Sequence, residues 1–423
     1  MILVTCCLSL FLVTMDVTIV NVALPAIGRD LGASLGGLQW AIDGYTVVLA
    51  SFLVLGGSIA DRFGRRRVFQ LGLATFTAGS LLCSAAPTIE ALVACRVVQA
   101  LGGTMLNPVA MSILVNTYTD PRRRARAIGV WAGVHGIAMA IGPLVGGALV
   151  QAVGWRAIFW VNAPVAVAAI ALTRRFVPES RAEQPRRADP IGQALLAIGL
   201  ATLTSVLIAA RGGWSARSAL GLAIAGGALI ALIAYERGRR EPLLDPRCFR
   251  SAPFSAAIGI AVIAFAMFNG GLFLASLHLQ GARGLSALHA GLCFAPIAVA
   301  LIICSPLSGR LVGAGHARHA LLGAGGALAV GALIVQSPAL AGELAGLALF
   351  GVALGLANTP ITHAAVSGLP RAQAGVAAGL AATSRQVGAT LGVAIAGAAE
   401  HSFWWLALAG GAAIVALGFL EAS

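Results

Sequence analysis

The chain has 423 residues, of which 10% are charged and 59% belong to the hydrophobic set; an ordinary soluble domain carries about 25% charged residues. Even a large folded domain hides only about three quarters of the surface its unfolded chain exposes. This composition therefore excludes a water-soluble enzyme, a nucleic-acid reader and a disordered chain. The formal charge of +13 comes from arginine, with no lysine present, and the arginines cluster in short loops. That is the distribution of membrane topology, and no nucleic-acid partner is expected.

A span needs about 20 mainly apolar residues. Between polar punctuations the sequence predicts fourteen helices, near 2–24, 38–60, 68–86, 90–112, 125–149, 157–173, 190–210, 218–235, 253–276, 288–308, 318–336, 339–362, 374–398 and 402–420. The fold class is an all-α polytopic membrane protein whose first partner is the lipid bilayer. The pair at 190–210 and 218–235 is the weaker. Each is apolar all round and lacks the polar face of an interfacial helix, so both count as spans.

Orientation follows from the arginines. With the N-terminus in the cytoplasm, inner loops hold 21 of the 28, grouped at 62–67, 122–126, 174–187, 237–250 and 310–318 and at Arg371. Outer loops hold five: Arg29, Arg156, Arg211, Arg217 and Arg283. Both termini are expected inside, in a multi-pass protein of the plasma or cell inner membrane. The first stretch lacks the basic n-region and small-residue cleavage site of a signal peptide.

The long polar connections 174–189 and 236–252 divide the chain into an N-terminal six-helix bundle (1–175), linkers with two extra spans (176–252) and a C-terminal six-helix bundle (253–423). Two such halves, each made of inverted three-helix repeats, are a common plan of secondary transporters. The second loop, Gly57-Ser-Ile-Ala-Asp61-Arg62-Phe-Gly64-Arg65-Arg66-Arg67, has a counterpart in Gly309-Arg310-Leu-Val-Gly313-Ala-Gly315-His316-Ala-Arg318. The glycines and the basic end persist, and the Asp-Arg pair does not.

Charge placed in hydrocarbon is costly and is functional by default. Asp16 lies midway along the first span, where burial disfavours the carboxylate and would make it a proton carrier. Arg96, two turns into the fourth span, needs a partner or a water-filled cavity, and Asp16 is the obvious acid. A movement separating the two would release or capture a proton. Asn21, Asp43, Tyr45, Gln99 and Arg385 are candidates for a substrate or cation cavity. For Asp43, near the outer end of the second span, a second proton or cation site and a hydrated interfacial position both stand open. Arg385 is open between a cavity cation and a packing or snorkelling role. Glu90 and Glu343 fall at span ends and read as interfacial. His135 and His363, the latter just past the twelfth span, lack a second ligand at metal spacing, and no metal site is expected. The cysteines have no C-x-x-C spacing and read as small hydrophobes, without disulfide or zinc.

In the 57–67 loop, Gly57 and Gly64 allow close backbone approach, and Asp61 can cap a helix or pair with an arginine. Together with Arg62 and Arg65 they suit a conformational latch. The fifth span carries Gly136-Ile-Ala-Met-Ala-Ile-Gly142-Pro143-Leu-Val-Gly146-Gly147. Small residues there permit close helix contact, and Pro143 bends the helix.

These motifs, taken in order, resemble the drug:proton antiporters of the major facilitator superfamily, in their fourteen-helix branch. Asp16-Val-Thr-Ile-Val-Asn21-Val-Ala-Leu-Pro25 is similar to that branch's first-helix signature, and residues 57–67 to the superfamily's loop motif. Arg96-Val-Val-Gln99-Ala100-Leu-Gly102 resembles the fourth-helix motif, with Ala100 where glycine is usual. Gly142-Pro143-Leu-Val-Gly146-Gly147 resembles the antiporter motif, and Trp155-Arg156-Ala-Ile-Phe-Trp160-Val-Asn162 the entry to the sixth helix. The resemblance implies the major facilitator fold, proton coupling by Asp16 and Arg96, and a latch at Asp61 and Arg62. It also implies lipophilic or cationic drug substrates, although the second half offers no mid-membrane carboxylate and Arg385 favours neutral or anionic compounds.

The expected function is proton-coupled efflux of small lipophilic or amphiphilic compounds by alternating access about a midplane cavity, lined by helices 1, 2, 4 and 5 and their second-half counterparts. It needs no cofactor beyond the proton gradient, and a monomer suffices. A proton-coupled importer or exporter of a specific metabolite is the nearest rival. An intramembrane enzyme would need a nucleophile–base pair or metal ligands, and a channel a symmetric filter.

Overall fold

The computed structural model describes residues 1–182, 189–213, 215–239, 246–367 and 374–420. Arg186, Arg187, Arg240 and Arg371, counted above toward orientation, lie outside the described residues. Among the described residues all regular structure is helical. The elements are α1 (Ile2–Leu31), α2 (Leu35–Phe63), α3 (Arg65–Ser84), α4 (Ile89–Thr104), α5 (Asn107–Thr117), α6 (Pro121–Ala152), α7 (Ala157–Trp160), α8 (Asn162–Phe176) and α9 (Pro190–Ala209). They continue with α10 (Ala216–Arg237), α11 (Ala252–Gly281), α12 (Ala287–Cys293), α13 (Ala295–Gly313), α14 (Ala317–Ile334), α15 (Leu340–Ser367), α16 (Ala374–Ala399) and α17 (Phe403–Leu420).

Fourteen helical stretches match the fourteen predicted, because α4–α5, α7–α8 and α12–α13 are each one span broken by proline. Pro108, Pro164 and Pro296 sit in the first turn of the second piece, where the missing N–H costs least. Among the described residues eleven stretches are long and apolar enough to cross a membrane; α3, α16 and the shorter α17 fall below that criterion. Several helices outrun their apolar cores. α1 continues to Leu31 and stops only at Gly32, in the left-handed conformation of a helix end. His363 lies inside α15, not after it, for the same reason.

By packing, the chain forms two compact units: residues 1–197 with 276–292, and residues 198–275 with 293–423. This grouping reflects contact and does not follow the division by chain order. The first unit's core is Leu12, Tyr45, Phe69, Phe76, Leu106, Ile113 and their neighbours. A cluster of Phe254, Ala257, Ala364, Leu380 and Ala381 belongs to the second.

A proline inside a helix frees the carbonyl four residues earlier, and in an apolar unit that carbonyl must find a donor. In α1, Pro25 frees the Asn21 carbonyl, and the Ser276 hydroxyl on α11 donates to it at 2.6 Å. In α15, Pro360 frees the Leu356 carbonyl, and the Ser308 hydroxyl on α13 donates to it at 2.7 Å. The same device satisfies a proline-freed carbonyl in each unit.

Candidate functional site

Asp16, halfway along α1, and Arg96, two turns into α4, meet in the core of the first unit. Their side chains are 0% and 1% exposed, and Arg96 Nη1 donates to Asp16 Oδ2. A buried pair is tenable only when its remaining groups are satisfied, and here both carboxylate oxygens and two of the three guanidinium nitrogens are bonded. Asp16 Oδ1 accepts from Gln99 Nε2 at 2.7 Å and from Asn162 Nδ2 at 3.0 Å. Arg96 Nε donates to the Ala41 carbonyl at 3.1 Å, and Nη1 also donates to Gln99 Oε1 at 2.8 Å. The guanidinium carbon stands 4.2 Å from the Tyr45 ring centre, within cation–π range. Asn162 Nδ2 also donates to Ser80 Oγ, which donates in turn to the Phe159 carbonyl at 2.9 Å. Five helices, α1, α2, α3, α4 and α8, are thus tied to one carboxylate.

Local sequence explains the placement. Gln99 follows Arg96 by three residues and shares its helix face. Asn162 opens α8 at the break after Trp160, which turns its amide inward. On the far side α6 closes against α1. A Cβ on Gly142 would fall 2.0 Å from Thr18 Oγ1 and 3.2 Å from the Met15 carbonyl, so only glycine lets the helix approach at that depth. Gly146 faces Ile19, Gly147 faces the Ala287 carbonyl, and the Pro143 carbonyl faces Gly291. Gln280 Nε2 donates to the Val22 carbonyl at 2.9 Å, beside the Ser276 contact.

Several sequence expectations need correction. Tyr45 and Gln99 are both fully buried and belong to the Asp16–Arg96 network. Asn21 is also buried, and its amide bonds its own helix at the Val17 carbonyl. Asp43 is not on the protein surface: it is 0% exposed, and among the described residues its carboxylate meets Thr46 Oγ1 at 3.5 Å through Oδ1 while Oδ2 has no partner. Glu343 is buried rather than interfacial, whereas Glu90 is exposed. His135 is bonded to Thr14 Oγ1 at 3.0 Å. Arg385, in the second unit, reaches Thr362 Oγ1 and the Asn358 carbonyl.

At the α2–α3 turn Asp61 pairs with Arg65, whose Nη2 and Nε donate to Oδ1 at 2.8 and 3.1 Å. Arg62 is exposed and lies over the Phe63 ring instead, since it projects from the other side of the helix end. The close approach expected at Gly57 belongs to its neighbour. A Cβ on Gly56 would stand 2.2 Å from the Thr104 carbonyl, which Pro108 has freed, while Gly57 makes only ordinary contact with Pro108. Gly64 has φ +113°, a region closed to other residues. The sequence pattern left Glu179 unassigned. Its carboxylate accepts from the Arg66 and Arg67 backbone N–H groups at 3.1 and 3.3 Å and so caps α3. The strap it belongs to is pinned by Arg65 N–H to the Ser180 carbonyl at 2.9 Å and Ala182 N–H to the Asp61 carbonyl at 3.1 Å.

The fold is that of a polytopic helical membrane protein, and its first unit is built around a buried, hydrogen-bonded Asp–Arg pair. A profile of the Major Facilitator Superfamily matches residues 6–393, and the chain belongs to that family. It is 35% identical over 397 residues to the multidrug resistance protein Stp of Mycobacterium tuberculosis, covering 92% of this chain and 74% of the relative. It is 37% identical over 403 residues to the tetracenomycin C resistance and export protein of Streptomyces glaucescens, covering 92% and 73%. The methylenomycin A resistance protein of Bacillus subtilis is 34% identical over 420 residues, covering 97% and 89%. The fold is similar to the crystal structure of a POT peptide transporter in complex with sulfate, with TM-score 0.71, 18% identity, and coverage of 99% of this chain and 93% of that one.

Proposed function

We propose that the protein exports small lipophilic or amphiphilic toxic compounds across the plasma membrane in exchange for protons, by alternating access, as a monomer with both termini in the cytoplasm. The observation that carries the reading is the Asp16 carboxylate, sealed from solvent and held by Arg96, Gln99 and Asn162. The relatives' names, multidrug resistance and tetracenomycin C resistance and export, support the substrate class. The arginine distribution supports the orientation.

The chemistry of the cycle follows from the network. With Asp16 ionised, three donors converge on it and Arg96 is compensated. Protonation removes the charge that holds Arg96, leaving a buried cation with the Ala41 carbonyl, Gln99 Oε1 and the Tyr45 and Phe159 rings. That arrangement is costly, so the proton drives a rearrangement of α1 against α4. Unused hydrogen-bonding capacity lies alongside, because Tyr45 Oη and Asn162 Oδ1 are buried without partners among the described residues. Asp43 is the second carrier, a buried carboxylate with no cation in reach among the described residues. The Asp61–Arg65 pair and the Glu179 strap hold the α2–α3 end as the latch.

The test uses everted membrane vesicles in which an imposed proton gradient drives uptake of rhodamine 6G. The reading predicts gradient-dependent uptake by the wild type and its loss in Asp16→Asn. Retained uptake in that variant contradicts it.

A further inference from the structure

The second unit contains a cation that nothing in the proposed proton cycle uses. Arg385 lies on α16, eleven residues from its first residue Ala374, about 16 Å along the helix. Among the described residues no carboxylate lies within ion-pair distance of it. Its Nη2 donates to the Asn358 carbonyl at 3.4 Å and to Thr362 Oγ1, while its Nε is buried without a partner. Beside it on α15 the Asn358 Oδ1 is also buried and unpartnered. The Phe265 ring on α11 has its centre 5.9 Å from the guanidinium carbon.

Each group is left wanting something specific. A guanidinium in an apolar unit wants an anion, and its planar fork suits an oxyanion. An orphaned amide oxygen wants a donor. An aromatic face wants a flat apolar partner. The three stand on α16, α15 and α11.

We propose that Arg385, Asn358 and Phe265 form a cargo subsite that recognises an aromatic compound bearing a carboxylate or ionised phenol, with a hydroxyl placed to reach Asn358. This deepens the export reading and rests on it: the subsite adds organic acids to the lipophilic compounds exported, while a lipophilic cation binds away from the guanidinium. Arg385 selects by charge, since a cationic compound at the same place meets an uncompensated guanidinium.

Two dyes on the same xanthene frame test it: fluorescein, an aromatic carboxylate with phenolic hydroxyls, and rhodamine 6G, a cation. Binding to the purified full-length protein in phosphatidylcholine nanodiscs is read by fluorescence anisotropy. Wild type binds fluorescein saturably. Arg385→Gln weakens that binding by about 10-fold or more, the loss of a hydrogen bond to a charged group. Arg385→Lys is intermediate and Asn358→Ala costs less, while rhodamine 6G binds Arg385→Gln as well as or better than wild type. The proposal is overturned by absent fluorescein binding, by equal affinity in wild type and Arg385→Gln, or by parallel loss of both dyes in a monodisperse Arg385→Lys protein, which marks a packing role. It is also overturned by displacement of fluorescein when phosphatidylglycerol replaces part of the lipid, which makes the ligand a headgroup. Binding needs no proton gradient, so these outcomes are independent of whether Asp16 couples transport.

Discussion

Asn162 reaches Asp16 across 146 positions of chain: its Nδ2 donates to Oδ1 at 3.0 Å, and at the same distance to Ser80 Oγ. One amide therefore ties the opening helix of the protein to α3 and α8. It does so at the carboxylate oxygen that Arg96 leaves free.

Asn162→Ala removes one of three donors from a buried carboxylate and leaves Ser80 to bond only Phe159. Hydrogen bonds to charged groups contribute about 1.5–3 kcal/mol, so gradient-driven dye uptake in everted vesicles falls about 10-fold or more while the protein stays monodisperse. Ser80→Ala, which touches the amide and not the acid, has the smaller effect. Equal effects would assign the amide a packing role.

Ser276→Ala orphans the Asn21 carbonyl that Pro25 has freed. The cost is about 1–3 kcal/mol, read as a lower thermal midpoint in detergent. Pro25→Ala restores the intrahelical donor, so Pro25→Ala/Ser276→Ala recovers most of the loss. The pair Ser308 and Pro360 behaves alike in the second unit. Additive losses in the double variants would show that the serines act elsewhere.

Gly142→Ala places a methyl on Thr18 Oγ1 and lowers stability by about 1–3 kcal/mol, the usual cost of overpacking. Thr18→Ala removes the struck atom, and the double variant regains stability and uptake together. If it does not, the α1–α6 approach is limited by the Met15 carbonyl instead.

At the α2–α3 turn, Glu179→Ala removes a helix cap worth about 1 kcal/mol. Gly64→Ala costs about 1–3 kcal/mol for its positive φ, and adding Glu179→Ala to it does not rescue it. Thermal midpoints of the three proteins decide the matter.

The spans were legible because hydropathy needs no knowledge of neighbours, and Asp16 and Arg96 because charge in hydrocarbon is conspicuous. Asn162, Ser80 and Ser276 were not assigned roles: uncharged polar residues are ordinary within spans, and their importance depends on partners 79 to 255 positions away. Pro25 carried half of the Ser276 signal, since an in-helix proline announces a free carbonyl without naming its donor. Glu179 sits in an arginine-rich polar connection with two other acids, Glu183 and Asp189, and carries no mark that distinguishes it from them. Glu343 reads as interfacial and is buried, and Asp43 stays open between two readings, because depth along a helix does not reveal which face is covered.

The central claim is that Asp16 takes up and gives back the coupling proton. Infrared difference spectroscopy of the reconstituted protein measures this directly. The account predicts a protonated-carboxyl band that grows on acidification, shrinks when a transported compound is added, and loses its compound-dependent part in Asp16→Asn. An unchanged compound-dependent band in that variant would contradict it.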